Sequence, residues 1–363
     1  MDIFTQRHSP IGVDVGRDSV KLIQFRNKGQ SLELVATARF EEGFPNNGHT
    51  AAEQNAFARD LKKLLAARKF GVRRAVITLP SDEVDVRPLT LPVDDEDVER
   101  KVRWEADSYL GYAADAAIID HVVLGEAKSA GERRLEVLAA AVERDKVIRS
   151  LDLLGQAGLL TEAIDIVPLA LCRSLHGVEK DMDQAAAAVD IGAALTHTVI
   201  MNGHELRMSR TIDFGGDVLT AAICNALEVN PEEAEVLKQQ HGTGIADEAD
   251  AETAGDAGQS EESRKIAHII NDILRDKLEY LATELSRLFR YFSAQNQGQR
   301  VGRVLLFGGS GSLRHLDTLL ASRLGTEVTV GAPISQITGR PVELKDGNEG
   351  SFAVAAGLAL RGA

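Results

Sequence analysis

Val13-Asp14-Val15-Gly16 and Val189-Asp190-Ile191-Gly192 are two copies of one short pattern, and each opens a strand-turn-strand run. After each copy comes a β-rich run, a turn (Asn27-Lys28-Gly29; Asn202-Gly203) and a further strand-like run, Leu32–Phe40 and Glu205–Ile212. A pattern repeated at this distance predicts a duplicated architecture. Asp-x-Gly on a tight strand-to-strand turn lets bare backbone N–H groups approach a phosphate, while the carboxylate can hold a hydrated cation over it. Two such hairpins facing each other predict a nucleotide clamp made of two lobes.

The chain has 363 residues, room for two core-bearing domains. Its 41 basic and 55 acidic residues give a net charge of -14, and aromatics are only 4%. That balance disfavours a surface for a phosphate backbone, so nucleic acid is not an expected partner. Cys172 and Cys224 are isolated, which argues against a disulfide framework or a zinc site and fits a reduced, cytoplasmic compartment. Residues 1–7 lack an apolar core of the leader type, and no run approaches the ~18–20 apolar residues of a membrane span. Membrane association is expected only through a partner.

Periodicity predicts strands over Ile11–Phe25 and Leu32–Phe40, a helix Gln54–Arg68 with Phe57, Leu61, Leu64 and Leu65 on one face, and a buried strand Ala75–Leu79. After Pro80 the order becomes strand Val84–Leu91, a helix from the acidic run 94–97 to Tyr109, strands Ala117–Leu124 and Arg134–Val142, and a helix to Gln156. We read 85–157 as an inserted module, with 8–84 and 158–183 as the first lobe around it. Leu159–Ile164 is again strand-like, followed by Asp165 and a helix Pro168–Leu175. The second lobe takes 184–228 and 300–363, with Asp217 as N-cap of a helix Val218–Leu227. Residues 229–299 form a helical subdomain. Within it, 241–263 holds seven carboxylates and no Lys or Arg, the composition of a solvated loop (243–263). Apolar residues from Ile266 to Phe292 recur at three-and-four spacing and predict one long helix.

Asp14-x-Gly16 alone is an ordinary turn sequence; the second copy gives it weight. Lys21 returns along the next strand toward the same phosphate position. Asp165 stands where a buried strand meets a helix and is also a good N-cap candidate. Glu235 and Lys238, three apart on one helix face, can meet or jointly hold ribose hydroxyls and an adenine edge. Gly308-Gly309-Ser310-Gly311 lies between a strand and a helix, a nucleotide-contact geometry.

This order of motifs resembles the actin-like ATPase superfamily of actin, the DnaK-type chaperones, MreB and FtsA. Within it the chain is similar to the PilM family of type IV pilus assembly, on Ile11-Gly-Val-Asp-Val-Gly16, Arg210-Thr-Ile-Asp-Phe-Gly215-Gly216 with Leu219-Thr220, Glu233-Ala-Glu-x-x-Lys238, and Glu284-Leu-Ser-Arg287 with Tyr291-Phe292. The resemblance implies an α/β actin-like ATPase fold of two ribonuclease-H-like lobes with the inserted βαββα subdomain of FtsA and PilM. It implies ATP as cofactor, bound through Asp14, Gly16, Ser19, Lys21, Gly192, Thr196, Glu235, Lys238, Gly308, Gly309 and Ser310. Mg2+ would be held, through water, by Asp14, Asp165 and Asp190. It further implies a PilN-type inner-membrane protein as partner, its N-terminal cytoplasmic tail captured in a groove involving the inserted module, with PilO and the pilus motor reached indirectly. The chain itself would not insert in the membrane, and self-association is compatible with the family.

Three departures weigh on activity. Arg17 and Asp18 stand where small residues usually wrap terminal phosphates, Ala194 and Leu195 replace the Gly and Thr of active chaperones, and Gly111 stands where relatives carry a proline. No His or Glu occupies an obvious base position, so nucleotide-dependent conformation is expected with slow or negligible hydrolysis. Two other readings share the fold: a sugar or small-acid kinase, for which no base Asp beside a Gly-rich sugar segment is found, and an FtsA-like filament former, whose long amphipathic final helix is missing. The short Ser351–Leu360 helix is expected to pack on the second lobe.

Overall fold

Strand β1 (Ile11–Val15) is buried along almost its whole length, as a central strand must be. It pairs antiparallel with β2 (Val20–Asn27), which pairs antiparallel with β3 (Leu32–Phe40). On its other side β1 pairs parallel with β4 (Arg74–Ile77). Strands β3 and β4 are connected by helix α1 (Ala51–Ala67), whose start is fixed by a capping box: Glu53 N donates to Thr50 Oγ1 at 3.3 Å and Thr50 N to Glu53 Oε2 at 2.6 Å. Its Phe57 meets Phe40 and Phe44 edge-on, with centroids 5.2 and 5.5 Å apart.

This computed structural model describes residues 8–29, 31–45, 48–94, 97–129, 132–175, 184–203, 205–243, 261–345 and 347–361. Contacts divide the chain into two units, Met1–Lys180 with Met201–Arg210 and Ala332–Ala363, and Asp181–Ile200 with Thr211–Gly331.

In the first unit, β8 (Leu160–Ile164) joins β4 in parallel and completes the order β3-β2-β1-β4-β8. Between β4 and β8 runs β5 (Val84–Pro92), helix α2 (Val98–Tyr109), β6 (Ala117–Ser129), β7 (Glu132–Glu143) and helix α3 (Arg144–Gln156). The three strands form a separate antiparallel sheet, β5-β7-β6. Val102 and Ala106 of α2 are buried, and Val102 joins Leu91, Val137 and Ala139 in that sheet's own small core. Trp104, the only tryptophan of the chain, stands on the same helix with 72% of its surface exposed. Helix α3 instead buries Val147, Leu153 and Leu154 in the large core of α1 and the first sheet. Helix α4 (Val167–Ser174) follows β8.

The second unit repeats the plan. Strands β9 (Ala185–Ile191), β10 (Thr196–Asn202), β11 (Glu205–Ile212), β12 (Val301–Phe307) and β13 (Glu327–Val330) are ordered β11-β10-β9-β12-β13, with β12 parallel to both neighbours. Helices α5 (Gly216–Leu227) and α6 (Pro231–His241) precede the long α7 (Glu261–Gln295). The stripe of α7 is buried at Ile270, Leu274, Leu278, Leu281, Leu285 and Phe292, each contributing about 1.5–3 kcal/mol. Helix α8 (Leu316–Leu324) packs on it. Residues 244–260, which hold most of the expected acidic loop, lie outside the described residues.

Two expectations need correction. Helix α5 starts at Gly216 with Gly215 as its cap, so Asp217 is not the N-cap. Gly216 N and Asp217 N already donate to Gly192 O and Ala193 O, both at 2.9 Å, which draws the helix start forward. The final helices α9 (Pro333–Thr338) and α10 (Ala353–Ala359) belong to the first unit, not the second lobe. Ala355, Ala356 and Ala359 of α10 form one core with Ile23 and Phe25 of β2. The small side chains let its backbone approach that sheet.

Candidate functional site

In the first unit the β1–β2 register sets Asp14 directly across from Lys21, and Lys21 Nζ lies 3.4 Å from Asp14 Oδ2. Asp14 Oδ1 accepts from Thr78 Oγ1 at 3.4 Å, and Thr78 Oγ1 accepts from Val15 N at 2.9 Å. The turn is closed by Gly16 N donating to Ser19 O at 3.2 Å. A Cβ on Gly16 would fall 2.7 Å from Ser19 O, so only glycine permits this closure. It would also lie 3.5 Å from Lys21 Nζ, which puts the ammonium over bare backbone. Ser19 is 3% exposed, whereas Arg17 and Asp18 are exposed.

Asp165, the third residue of the expected Mg2+ set, is engaged by two arginines. Its carboxylate, 3% exposed, is paired with Arg173 Nη2 and, at 2.9 Å, with Arg361 Nη1. Two guanidinium groups thus share one buried carboxylate. Asp165 is not an N-cap: its Oδ1 accepts from Ile166 N at 2.8 Å, and Ile166 caps α4. Among the described residues, no group of three or more His, Cys, Asp or Glu side chains is placed to hold a metal ion.

In the second unit Gly192 N donates to Leu195 O at 3.0 Å and closes the β9–β10 turn, which the first turn of α5 then covers. Asp190 ends the buried run of β9 and is half-buried, in register with Phe307 of β12. Thr196 is fully buried, and its hydroxyl donates to Phe214 O at 2.7 Å. In this structure the hydroxyl expected to meet the nucleotide is a tie beneath the turn.

Lys238 and Glu235 do meet, at 2.6 Å. Lys238, 4% exposed, also donates to Thr220 Oγ1 at 2.9 Å and Gly216 O at 3.3 Å. Glu235 Oε2 accepts from Thr220 Oγ1 at 2.8 Å, and its Oε1 from Gln239 Nε2 at 2.9 Å. Burial pushes the Glu235 carboxyl up, but the hydrogen bond and charge of Lys238, with Gln239 and Thr220, hold it below its ordinary value. Gly308 has φ +85°, and a Cβ there would fall 2.3 Å from Ile191 O, so the turn after β12 requires glycine. A Cβ on Gly309 would meet nothing within 4 Å. On Gly216 it would fall 2.6 Å from Ser310 Oγ and 3.2 Å from Lys238 Nζ. Gly216 thus lies where the Gly-Gly turn and the Glu-Lys helix converge. Gly216, Thr220 and Gln239 were given no site role from sequence; the i, i+4 spacing of Gly216 and Thr220 on one helix face is the signal that connects the first two.

The sequence model of the family described as type IV pilus assembly protein PilM matches residues 12–250. That of cell division protein FtsA matches residues 187–357. FtsA of Streptococcus pneumoniae serotype 2 (strain D39) is 22% identical over 351 residues, 89% of this chain and 75% of that protein. FtsA of Escherichia coli (strain K12) is 24% identical over 192 residues, 51% of this chain, which spans only 45% of that relative. Among solved structures, the PilM–PilN type IV pilus biogenesis complex superposes with a TM-score of 0.76 at 26% identity, over 98% of both chains. EutJ of Carboxydothermus hydrogenoformans superposes at 0.56 with 16% identity over 98% of this chain and 90% of its own, which speaks for the fold alone. An MreB of Spiroplasma citri bound to AMPPNP does so at 0.50 with 11% identity, over 98% and 95%. The fold is that of the actin-like ATPases. Since the matched span takes in both Asp-x-Gly hairpins and the helix of Glu235 and Lys238, the chain belongs to the family of type IV pilus assembly protein PilM.

Proposed function

We propose that this chain is an ATP-binding scaffold of a type IV pilus assembly complex, and that it binds the N-terminal tail of a PilN-type inner-membrane protein with an affinity set by its nucleotide state. The observation that carries this reading is the match to the PilM–PilN complex over 98% of both chains. Among the described residues no helix is long and apolar enough to cross a membrane, so the proposed membrane association runs through the partner.

Each unit carries its own residues suited to a nucleotide. In the first, Gly16 and Ser19 supply the turn and Lys21 the cation for phosphate; in the second, Gly192 and Gly308–Ser310 supply bare backbone, and Glu235 with Lys238 the polar group for ribose and base. Both sets fit: the positions that approach the ligand are glycines, and the cations are already held in place by carboxylates. Mg2+ would be carried mainly by phosphate and water, with Asp14 and Asp190 reaching it through water, which suits an ion that dehydrates reluctantly. Bound there, it would neutralise phosphate charge. Asp14 holds Lys21 in position and Lys238 holds Glu235, and among the described residues of these two groups no side chain is left over as a base for water, so turnover is slow or absent.

Calorimetry of the PilN tail peptide against the full chain, with and without Mg-ATP, tests the proposal. Tighter binding in one nucleotide state is expected; equal affinity in both refutes the coupling, and no binding in either refutes the partner. Unchanged ATP affinity in both Asp190→Ala and Lys238→Ala would remove the nucleotide site. The FtsA likeness over residues 187–357 favours a second reading, a filament former. Pelleting in a centrifuge only when ATP is added would favour it.

A further inference from the structure

We propose that Asp165 is the anchor of helix α10 and a positioning residue for the Asp14 strand, rather than a ligand for a cation. It sits between β8 and α4, and its buried carboxylate binds Arg173, from the far end of α4, and Arg361, just past α10, at 2.9 Å. Both arginines also reach backbone beside it. Arg173 Nε donates to Gly357 O at 2.8 Å, in the middle of α10, and Arg361 Nη1 donates to Ile164 O at 3.3 Å, at the end of β8. One carboxylate therefore holds α10 near its middle and beyond its end.

The helix is also pressed against its neighbours backbone to backbone. A Cβ on Gly357 would fall 1.8 Å from Ala170 O of α4, and one on Gly12 would fall 1.9 Å from Ala355 O of α10. Gly12 is two residues before Asp14 on β1, so the line at which α10 docks is the line that sets the height of Asp14. A force-bearing contact of this kind has no side chain to give way. Loosening α10 shifts β1, and Asp14 with its partner Lys21 shifts with it.

The alternative, Asp165 as a cation ligand, needs a divalent ion to enter a site that already holds two positive charges on one carboxylate. A cation there would have to displace both guanidinium groups or add a third positive centre beside them, which is costly. The anchor uses both ion pairs of the carboxylate; the ligand role uses neither.

The positioning half rests on the nucleotide reading, and the anchoring half does not. Hydrogen exchange of the full chain without nucleotide, for wild type, Arg361→Gln, Arg361→Lys and Asp165→Asn, reads the anchor. ATP titrations with and without Mg2+ read the site. Both Arg361→Gln and Asp165→Asn are expected to speed exchange over 353–359 about tenfold or more, with partial recovery in Arg361→Lys. The ratio of ATP affinities with and without Mg2+ is expected to stay within about twofold of wild type in Asp165→Asn, while affinity itself falls. Unchanged exchange over 353–359 in both variants overturns the anchor. Loss of the Mg2+ dependence in Asp165→Asn, with exchange unchanged, installs the ligand role instead. Should Asp165→Asn not fold, Arg361→Gln still decides the anchor, because the Arg361 side chain is 47% exposed and its loss opens no cavity. A wild type that binds no ATP sinks the nucleotide reading and leaves the exchange result standing.

Discussion

The two Asp-x-Gly hairpins are built on sheets of the same order, yet they differ in what surrounds them. In the first, the turn keeps its charged arm: Lys21 lies 3.4 Å from Asp14 across one strand pair, over a glycine. In the second, no lysine faces Asp190 across the hairpin; the hydroxyl that follows the turn is buried in Phe214 O, and the cation, Lys238, comes from a helix and is tied to Glu235, Thr220 and Gly216. Duplicated topology therefore does not mean duplicated chemistry. One hairpin carries a local two-residue device, and the other is a backbone element served by a preassembled polar network.

Breaking the network has the largest expected effect. Lys238→Ala removes a 4% exposed ammonium and its charge from Glu235, with Thr220 and Gln239 left as the only donors to the network, so a loss of about 3 kcal/mol in unfolding free energy is expected together with weaker ATP binding. A stability change near zero in urea titration would show that the second site is as loosely built as the first. Thr196→Val sharpens the contrast from the other side. It leaves Phe214 O unsatisfied and is expected to cost about 1–3 kcal/mol while ATP affinity stays within about twofold. The reverse pattern, stable but binding-deficient, would return Thr196 to the ligand set.

Acid separates the sheets next. The first sheet's fully buried polar side chain is Gln24, which does not titrate, whereas β10 of the second buries His197 beside Thr211 Oγ1 at 3.2 Å. Burial pushes the His197 ring from 6.5 down to about 4. The unfolded chain takes up a proton near pH 6.5 and the folded one only near 4, so the unfolded state binds more protons in that window. Stability is therefore full above 6.5 and falls as pH drops toward 4, by about 1.4 kcal/mol per pH unit at most. His197→Gln should flatten that part of the slope in thermal melts across pH; an unchanged slope would assign it to carboxylates. The smallest effect on stability belongs to Lys21→Ala. A single ion pair at 3.4 Å is expected to change unfolding by about 1 kcal/mol or less, yet to weaken ATP about tenfold. Equal losses in both quantities would mean that Lys21 serves the hairpin rather than the ligand.

The duplicated sheets, the inserted strands and the long helix were legible because each is written in local periodicity and turn residues. Asp14 opposite Lys21 was legible too, since a seven-residue spacing around a tight turn fixes the register. Asp165 was not, because its role is decided by Arg361, which comes from the other end of the chain. The tie of Thr196 was hidden for a similar reason: the Phe214 carbonyl that accepts its hydrogen bond belongs to a different segment, and nothing near Thr196 announces it. The Ala-rich α10 gave no hint of its neighbour. Small side chains report close approach but not to what, and the answer lay in Gly12 and Gly357, glycines in a strand and a helix.

Trp104 gives the molecule an unusual optical property. As the only indole, mostly open to solvent on α2, it emits from the inserted sheet and its helix alone. Its fluorescence in the folded protein is already that of a wet tryptophan, so denaturant titrations followed by emission will barely register collapse of either large core. Far-UV dichroism must carry those measurements. The same blindness makes Trp104 a clean reporter in a different experiment: a blue shift on adding a peptide means that something dry has landed on the inserted module.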